Sequence, residues 1–137
     1  MNRKQKLIAA AALAAVAATW AIPAQAGRTL NAVKSRGMVV CGVNTAAPGF
    51  SGADSRGHWK GLDVDICRAV AAAVLKDANK VKFVPLSSEQ RFTALQSGQI
   101  DILARNTTWS MSRDASQGSV FVAMDYLDGQ GFMVPKK

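Results

Sequence analysis

Cysteine and histidine are scarce in this chain: two cysteines, Cys41 and Cys67, and the single His58 among 137 residues. Their spacing does not resemble a zinc ligand set, which argues against a metal centre, and no cofactor is expected. His58 falls in the turn-like stretch Gly57-His58-Trp59-Lys60-Gly61 and has no serine or cysteine partner in an evident triad, so hydrolase chemistry is not expected. Long charge runs are missing too. The formal charge is +8, yet no basic run exceeds Lys136-Lys137, and the aromatics are not interleaved with basic residues as a base-stacking platform requires. Nucleic acid is therefore not an expected partner. The longest apolar stretch, Leu7 to about Trp20, falls short of the ~20 residues of a comfortable spanning helix.

That stretch fits an export leader. Arg3, Lys4 and Lys6 form a positive start, the Ala-rich run follows, and Ala24-Gln25-Ala26 is an A-x-A cleavage site. Residues 1–26 are read as a cleaved signal peptide, with a mature chain starting at Gly27 in a bacterial periplasm. Removing three of the 17 basic residues and none of the nine acidic ones takes the formal charge from +8 to +5. An oxidising compartment permits a Cys41–Cys67 disulfide; two buried free thiols are the alternative.

Along the mature part, Thr29 to Gly37 reads as a short helix with Thr29 as cap and Gly37 as stop. Met38–Val43 is a first buried strand, Asn44 to Ser55 a loop, and residues 57–61 a turn or short hairpin. Leu62–Leu75 carries an apolar stripe at helical spacing: Leu62, Ile66, Val70 and Val74, with Cys67 and Ala71. Val81–Leu86 is a second strand, Glu89–Ser97 a second helix and Ile100–Ala104 a third strand. Val120–Tyr126 and Phe132–Val134 are further strand candidates. This order with short joints predicts an α/β fold with a mostly parallel sheet flanked by helices.

Two strands run into helices that open Ser-x-x-Arg: Ser88 to Arg91 and Ser110 to Arg113. Serine caps a helix well, but a cation in the first turn opposes the dipole. Occurring twice, the pattern predicts an anion held by both arginines and the nearby N–H groups, in the crevice beyond the strand ends. The plainer readings are surface ion pairs, Arg113 with Asp114 and Arg91 with Glu89. Asp63 and Asp65 are read as acids complementing the helix dipole, and Trp59 and Trp109 as core or rim aromatics.

The blocks Val40-Cys41-Gly42-Val43, Gly61-Leu62-Asp63-Val64-Asp65, Leu95-Gln96-Ser97-Gly98-Gln99-Ile100-Asp101 and Asn106-Thr107-Thr108-Trp109-Ser110…Arg113 follow one another in order. With the leader, they resemble the N-terminal part of a periplasmic amino-acid-binding protein of an ABC transporter, of the general L-amino-acid-binding type. The resemblance implies one partial lobe of a periplasmic-binding-protein type II fold over residues 27–137, with the second lobe absent. It implies capture of free L-amino acids, polar, acidic or broad in range, and delivery to a membrane permease, weakened by the missing lobe. Arg113 matches the arginine that grips the ligand α-carboxylate, Thr108 the hydroxyl beside it, and Asn106 a position usually Ser or Gly. Ser88 and Arg91 match a pair that meets acidic ligands. Ala46-Ala47-Pro48-Gly49 stands where basic-amino-acid binders carry an aromatic, which speaks against lysine specificity. The rival expectations are a dehydratase-like enzyme on the same lobe and a non-binding remnant.

Overall fold

Val39, Cys41, Gly42 and Val43 are all buried, and a strand covered on both faces needs neighbours on both edges and helices above and below. The computed structural model, which describes residues 27–136, supplies both. The proposed leader, residues 1–26, lies outside the described residues. Residues 33–137 group as one unit, separate from those up to Ala32; the elements are α1 (Gly27–Arg36), β1 (Val39–Val43), β2 (Gly52–Ala53), β3 (Trp59–Lys60), α2 (Leu62–Leu75), β4 (Val81–Pro85), α3 (Gln90–Gln96), β5 (Ile102–Leu103) and α4 (Met111–Ser116). Among the described residues no helix is long and apolar enough to cross a membrane.

The main sheet has the order β4-β1-β5, and both pairings are parallel. Val39 lies opposite Val81 and Val43 opposite Pro85; Cys41 lies opposite Ile102 and Gly42 opposite Leu103. Alternation along the strands then sorts the core. Val39, Cys41 and Val43 face α2, where Cys67 and Ala71 are fully buried, and Trp59, Phe83 and Ile102 pack beside them. Val40, Val84 and Leu103 face the other way, onto Leu86, Ala94 and Ile100. Gly42 has no room for a side chain: a Cβ there would stand 2.6 Å from Ile100 Cδ1 and 2.9 Å from Leu86 Cδ1. The sheet is thus α/β with helices on both faces, as its sequence order predicts.

Cys41 and Cys67 are joined, with Cα atoms 6.2 Å apart, so the middle strand is bonded covalently to the helix that covers it. One residue before Cys41, Asp101 takes the Val40 N–H at 2.7 Å and pairs with Arg36. That double contact gives the Leu-x-x-Gly-x-x-Asp block a physical role: its last residue locks the start of β5 against β1.

Several expectations need correction. Helix α1 begins at Gly27, so Thr29 sits inside it rather than capping it, while Gly37 does end it at φ 70° with its N–H on the Val33 carbonyl. The loop after β1 is not wholly irregular, since β2 pairs antiparallel with β3 and closes the expected hairpin. Strand β5 is shorter than Ile100–Ala104, although the N–H groups of Asp101 and Ala104 still reach the β1 carbonyls. Val120–Tyr126 and Phe132–Val134 form no strand. Their composition favours extended backbone, but a strand exists only with a partner for its N–H and C=O groups, and none pairs with them among the described residues. Val120, Val122 and Leu127 stand more than four-fifths exposed.

Candidate functional site

Because β1, β4 and β5 are parallel, the loops that leave them emerge at one edge, and there the Ser-x-x-Arg openings meet. Ser110 caps α4 as predicted, its Oγ accepting the Arg113 N–H at 3.4 Å. Ser88 does not cap α3. The reciprocal contacts belong to its neighbour: the Ser87 Oγ accepts the Gln90 N–H at 3.3 Å, and the Gln90 side chain accepts the Ser87 N–H at 3.4 Å. This reciprocal pair has the Ser-x-x-Gln bonding of a capping box, set in the turn ahead of α3, whose N-cap residue, Glu89, makes no side-chain capping bond of its own. Ser88 is exposed in that turn, its hydroxyl accepting from Arg105 at 3.4 Å.

Arg91 is 7% exposed. Its Nη1 donates to the Asn106 carbonyl and the Thr107 hydroxyl, both at 3.2 Å, while its buried Nε has no partner. Arg113 is half-buried and donates through Nη1 to the Thr108 carbonyl at 2.9 Å. The two guanidinium carbons lie 5.1 and 5.9 Å from the centroid of one ring, Phe92. Neither of the plainer ion pairs forms: Glu89 does not reach Arg91, and Asp114 instead accepts from Trp109 Nε1 at 3.3 Å and from the Phe121 N–H at 3.4 Å. Thr108 and Asn106 both sit at this edge, exposed. The structure therefore brings together all five residues singled out from the sequence: Ser88, Arg91, Asn106, Thr108 and Arg113.

Two contributors were not among them. Arg105, two residues past β5, is 8% exposed and ties the three strand-end loops together. Its Nη1 donates to the Leu86 carbonyl at 2.6 Å, and its Nε and Nη2 to Asn106 Oδ1 at 3.3 and 3.2 Å. The same Oδ1 accepts from Asn44 Nδ2 at 3.1 Å. Asp63 is the other. It stands in the first turn of α2, as its reading as an acid complementing the dipole requires, yet it is 2% exposed and its Oδ2 has no partner. Burial pushes its carboxyl above the ordinary aspartate range, nearby Asp125 adds to the rise, and Ser51 opposes it. Ser51 in turn donates to the Asn44 carbonyl at 3.2 Å. Asp65 lies in the first turn of α2 as expected; it is exposed and pairs with Arg68 at 3.1 Å. Of the tryptophans, Trp59 packs in the core against Phe83, whereas Trp109 stacks on Phe121 at the rim.

Electrostatically the edge is one-sided. Among the described residues no carboxylate comes within 4.0 Å of Arg91, Arg105 or Arg113. Burial lowers the affinity of Arg91 for its proton, Arg105 and then Arg113 lower it further, and Glu89 opposes them, so two other cations act on Arg91. Cations held only by neutral acceptors favour an incoming anion, and a guanidinium fork pairs with a planar carboxylate through two parallel bonds. No group of metal-ligating side chains occurs among the described residues.

The chain is similar to several known proteins. The general L-amino acid-binding periplasmic protein AapJ of Rhizobium johnstonii is 54% identical over 133 residues, which are 97% of this chain and 39% of that protein. The glutamate/glutamine/aspartate/asparagine-binding protein BztA of Rhodobacter capsulatus is 50% identical over 134 residues, 98% of this chain and 38% of that protein. A solved periplasmic binding protein from Brucella ovis with glutathione bound superposes with a TM-score of 0.70 at 54% identity, covering 72% of this chain and 30% of that one. The chain spans about two fifths of the length of these curated relatives. Residues 39–137 match the model of the bacterial extracellular solute-binding proteins, family 3, and the chain belongs to that family.

Proposed function

We propose that this protein captures amino acids outside the cytoplasm, polar and acidic ones or a broad range, for delivery to the membrane permease of an ABC transporter. One observation carries the reading: Arg91 and Arg113 lie 5.1 and 5.9 Å from the centroid of a single ring, that of Phe92, at the strand ends, and neither has a carboxylate partner among the described residues. Arg113 has guanidinium N–H groups left to pair with an α-carboxylate after its one bond to Thr108. Thr108 supplies a hydroxyl, Asn106 its backbone and amide, and Ser88 with Arg91 polar groups toward the rest of the ligand. The names of AapJ and BztA support amino acids as the ligand class. The role is capture without turnover. Residues 1–26 are proposed to be the export signal, with Gly27 as the first residue of the mature protein; the N-terminal sequence of the periplasmic product tests this.

The binding test is titration of the protein with L-glutamate, L-glutamine and L-lysine, followed by amide chemical shifts. Saturable shifts centred on residues 88–91 and 105–113 with the first two ligands are expected. No shift with any L-amino acid at millimolar concentration, the ~4 kcal/mol level, overturns the reading.

A further inference from the structure

We propose that Arg105 is a specificity-determining residue of this site, biasing it toward ligands with an anionic side chain over neutral ones of the same shape. The inference rests on the capture reading above. Arg105 is buried, and every hydrogen-bond acceptor around it is neutral: the Leu86 carbonyl, the Ser88 hydroxyl and the Asn106 amide oxygen. Neutral acceptors satisfy its N–H groups but leave its charge uncancelled. The carboxylates that act on it, Asp63 and Glu89, do so from beyond ion-pair distance, and Asp63 is itself held toward its neutral form by burial. Two of the three partners, Ser88 and Asn106, are proposed ligand contacts, so the charge sits directly behind the binding surface. Arg91 donates to the main-chain carbonyl of the same Asn106. A second cation stacked behind the first adds little to holding one α-carboxylate that Arg113 already grips. It adds most for a ligand that carries a second negative charge.

The test compares L-glutamate with L-glutamine, which differ in side-chain charge and hardly in shape. At ~10 Å and an effective dielectric of ~20, one unit charge changes affinity by roughly tenfold or somewhat more. Arg105→Gln is therefore expected to lower the glutamate-over-glutamine affinity ratio about tenfold, mostly by weakening glutamate. Arg105→Lys keeps the charge and loses the fork, so both affinities fall while the wild-type ratio survives. A residue that only staples the loops would weaken the two ligands equally in Arg105→Gln, and that result overturns the inference alone. If Arg105→Gln does not fold, Arg105→Lys decides, because a changed ratio there also overturns it. Failure of the unaltered protein to bind either ligand overturns this inference together with the capture reading.

Discussion

Arg91 and Arg113 share the ring of Phe92, their guanidinium carbons 5.1 and 5.9 Å from its centroid. A ring within reach of two cations attracts both and partly offsets their repulsion, each contact contributing ~0.5–1 kcal/mol where solvent has access. Phe92→Leu keeps apolar volume but removes the ring's negative face. It is expected to weaken L-glutamate binding about tenfold, read by titration, with a smaller effect on the unfolding midpoint.

Arg113→Lys tests the carboxylate grip directly. A lysine keeps the charge and cannot form two parallel bonds. Loss of a charged hydrogen bond, ~1.5–3 kcal/mol, predicts a ten- to hundredfold weaker complex with unchanged thermal stability, since Arg113 is only half-buried. An affinity within threefold of the unaltered protein would show that the ligand carboxylate lies elsewhere.

The two adjacent serines before α3 separate by their contacts. Ser87→Ala removes a cap and is expected to cost about 1 kcal/mol of stability. Ser88→Ala touches no helix end and should leave stability within ~0.5 kcal/mol while weakening ligand. Denaturant unfolding of the two variants checks the assignment.

Asp63 predicts a pH dependence of stability. Its folded carboxyl holds its proton more tightly than the unfolded chain does. Where the folded form is protonated and the unfolded form is not, the folded state binds more protons, so stability falls as pH rises. The loss begins near the unfolded value of about 3.9 and is complete above the raised folded value. Asp63→Asn cannot ionise, so its stability relative to the unaltered protein should climb from pH 4 upward and then level. Parallel curves for the two proteins would show that Asp63 is ionised at no cost.

Gly61 stands at φ 123°, and a Cβ there would lie 2.2 Å from the Phe50 carbonyl oxygen. That neighbour is backbone and cannot swing aside. Gly61→Ala is expected to destabilise by ~2 kcal/mol or more, seen as a lowered melting temperature, because the loop carrying Phe50 and Ser51 must move off the start of α2.

What the sequence reveals follows periodicity. Helix α2 has the bounds its apolar stripe predicts, but the face that meets the sheet is centred on Val64, Cys67 and Ala71, while Leu62 is exposed and Ile66, Val70 and Val74 are only partly buried. Strand β1 is legible because it is apolar on both faces. Loop burial carries no period, so nothing marks Arg105 as buried apart from its place just past a strand. Asp63 is hidden for the opposite reason: an acid at a helix start has a ready explanation in the dipole, which masks the loop folded over it. Ser87 was recoverable, since Ser87-Ser88-Glu89-Gln90 already contains the Ser-x-x-Gln capping pattern. Val120–Tyr126 shows the limit of composition: strand-favouring residues are necessary, and a partner completes the strand.

The order β4-β1-β5 has a kinetic consequence. The central strand comes first along the chain and both flanking strands come later, each after a helix. No pair of neighbouring strands in the main sheet can zip from a tight turn, so the sheet assembles only through contacts of high sequence separation, the property that slows folding most. The cations at its edge meet only when that assembly is complete, and formation of the sheet sets the earliest moment at which the proposed site exists.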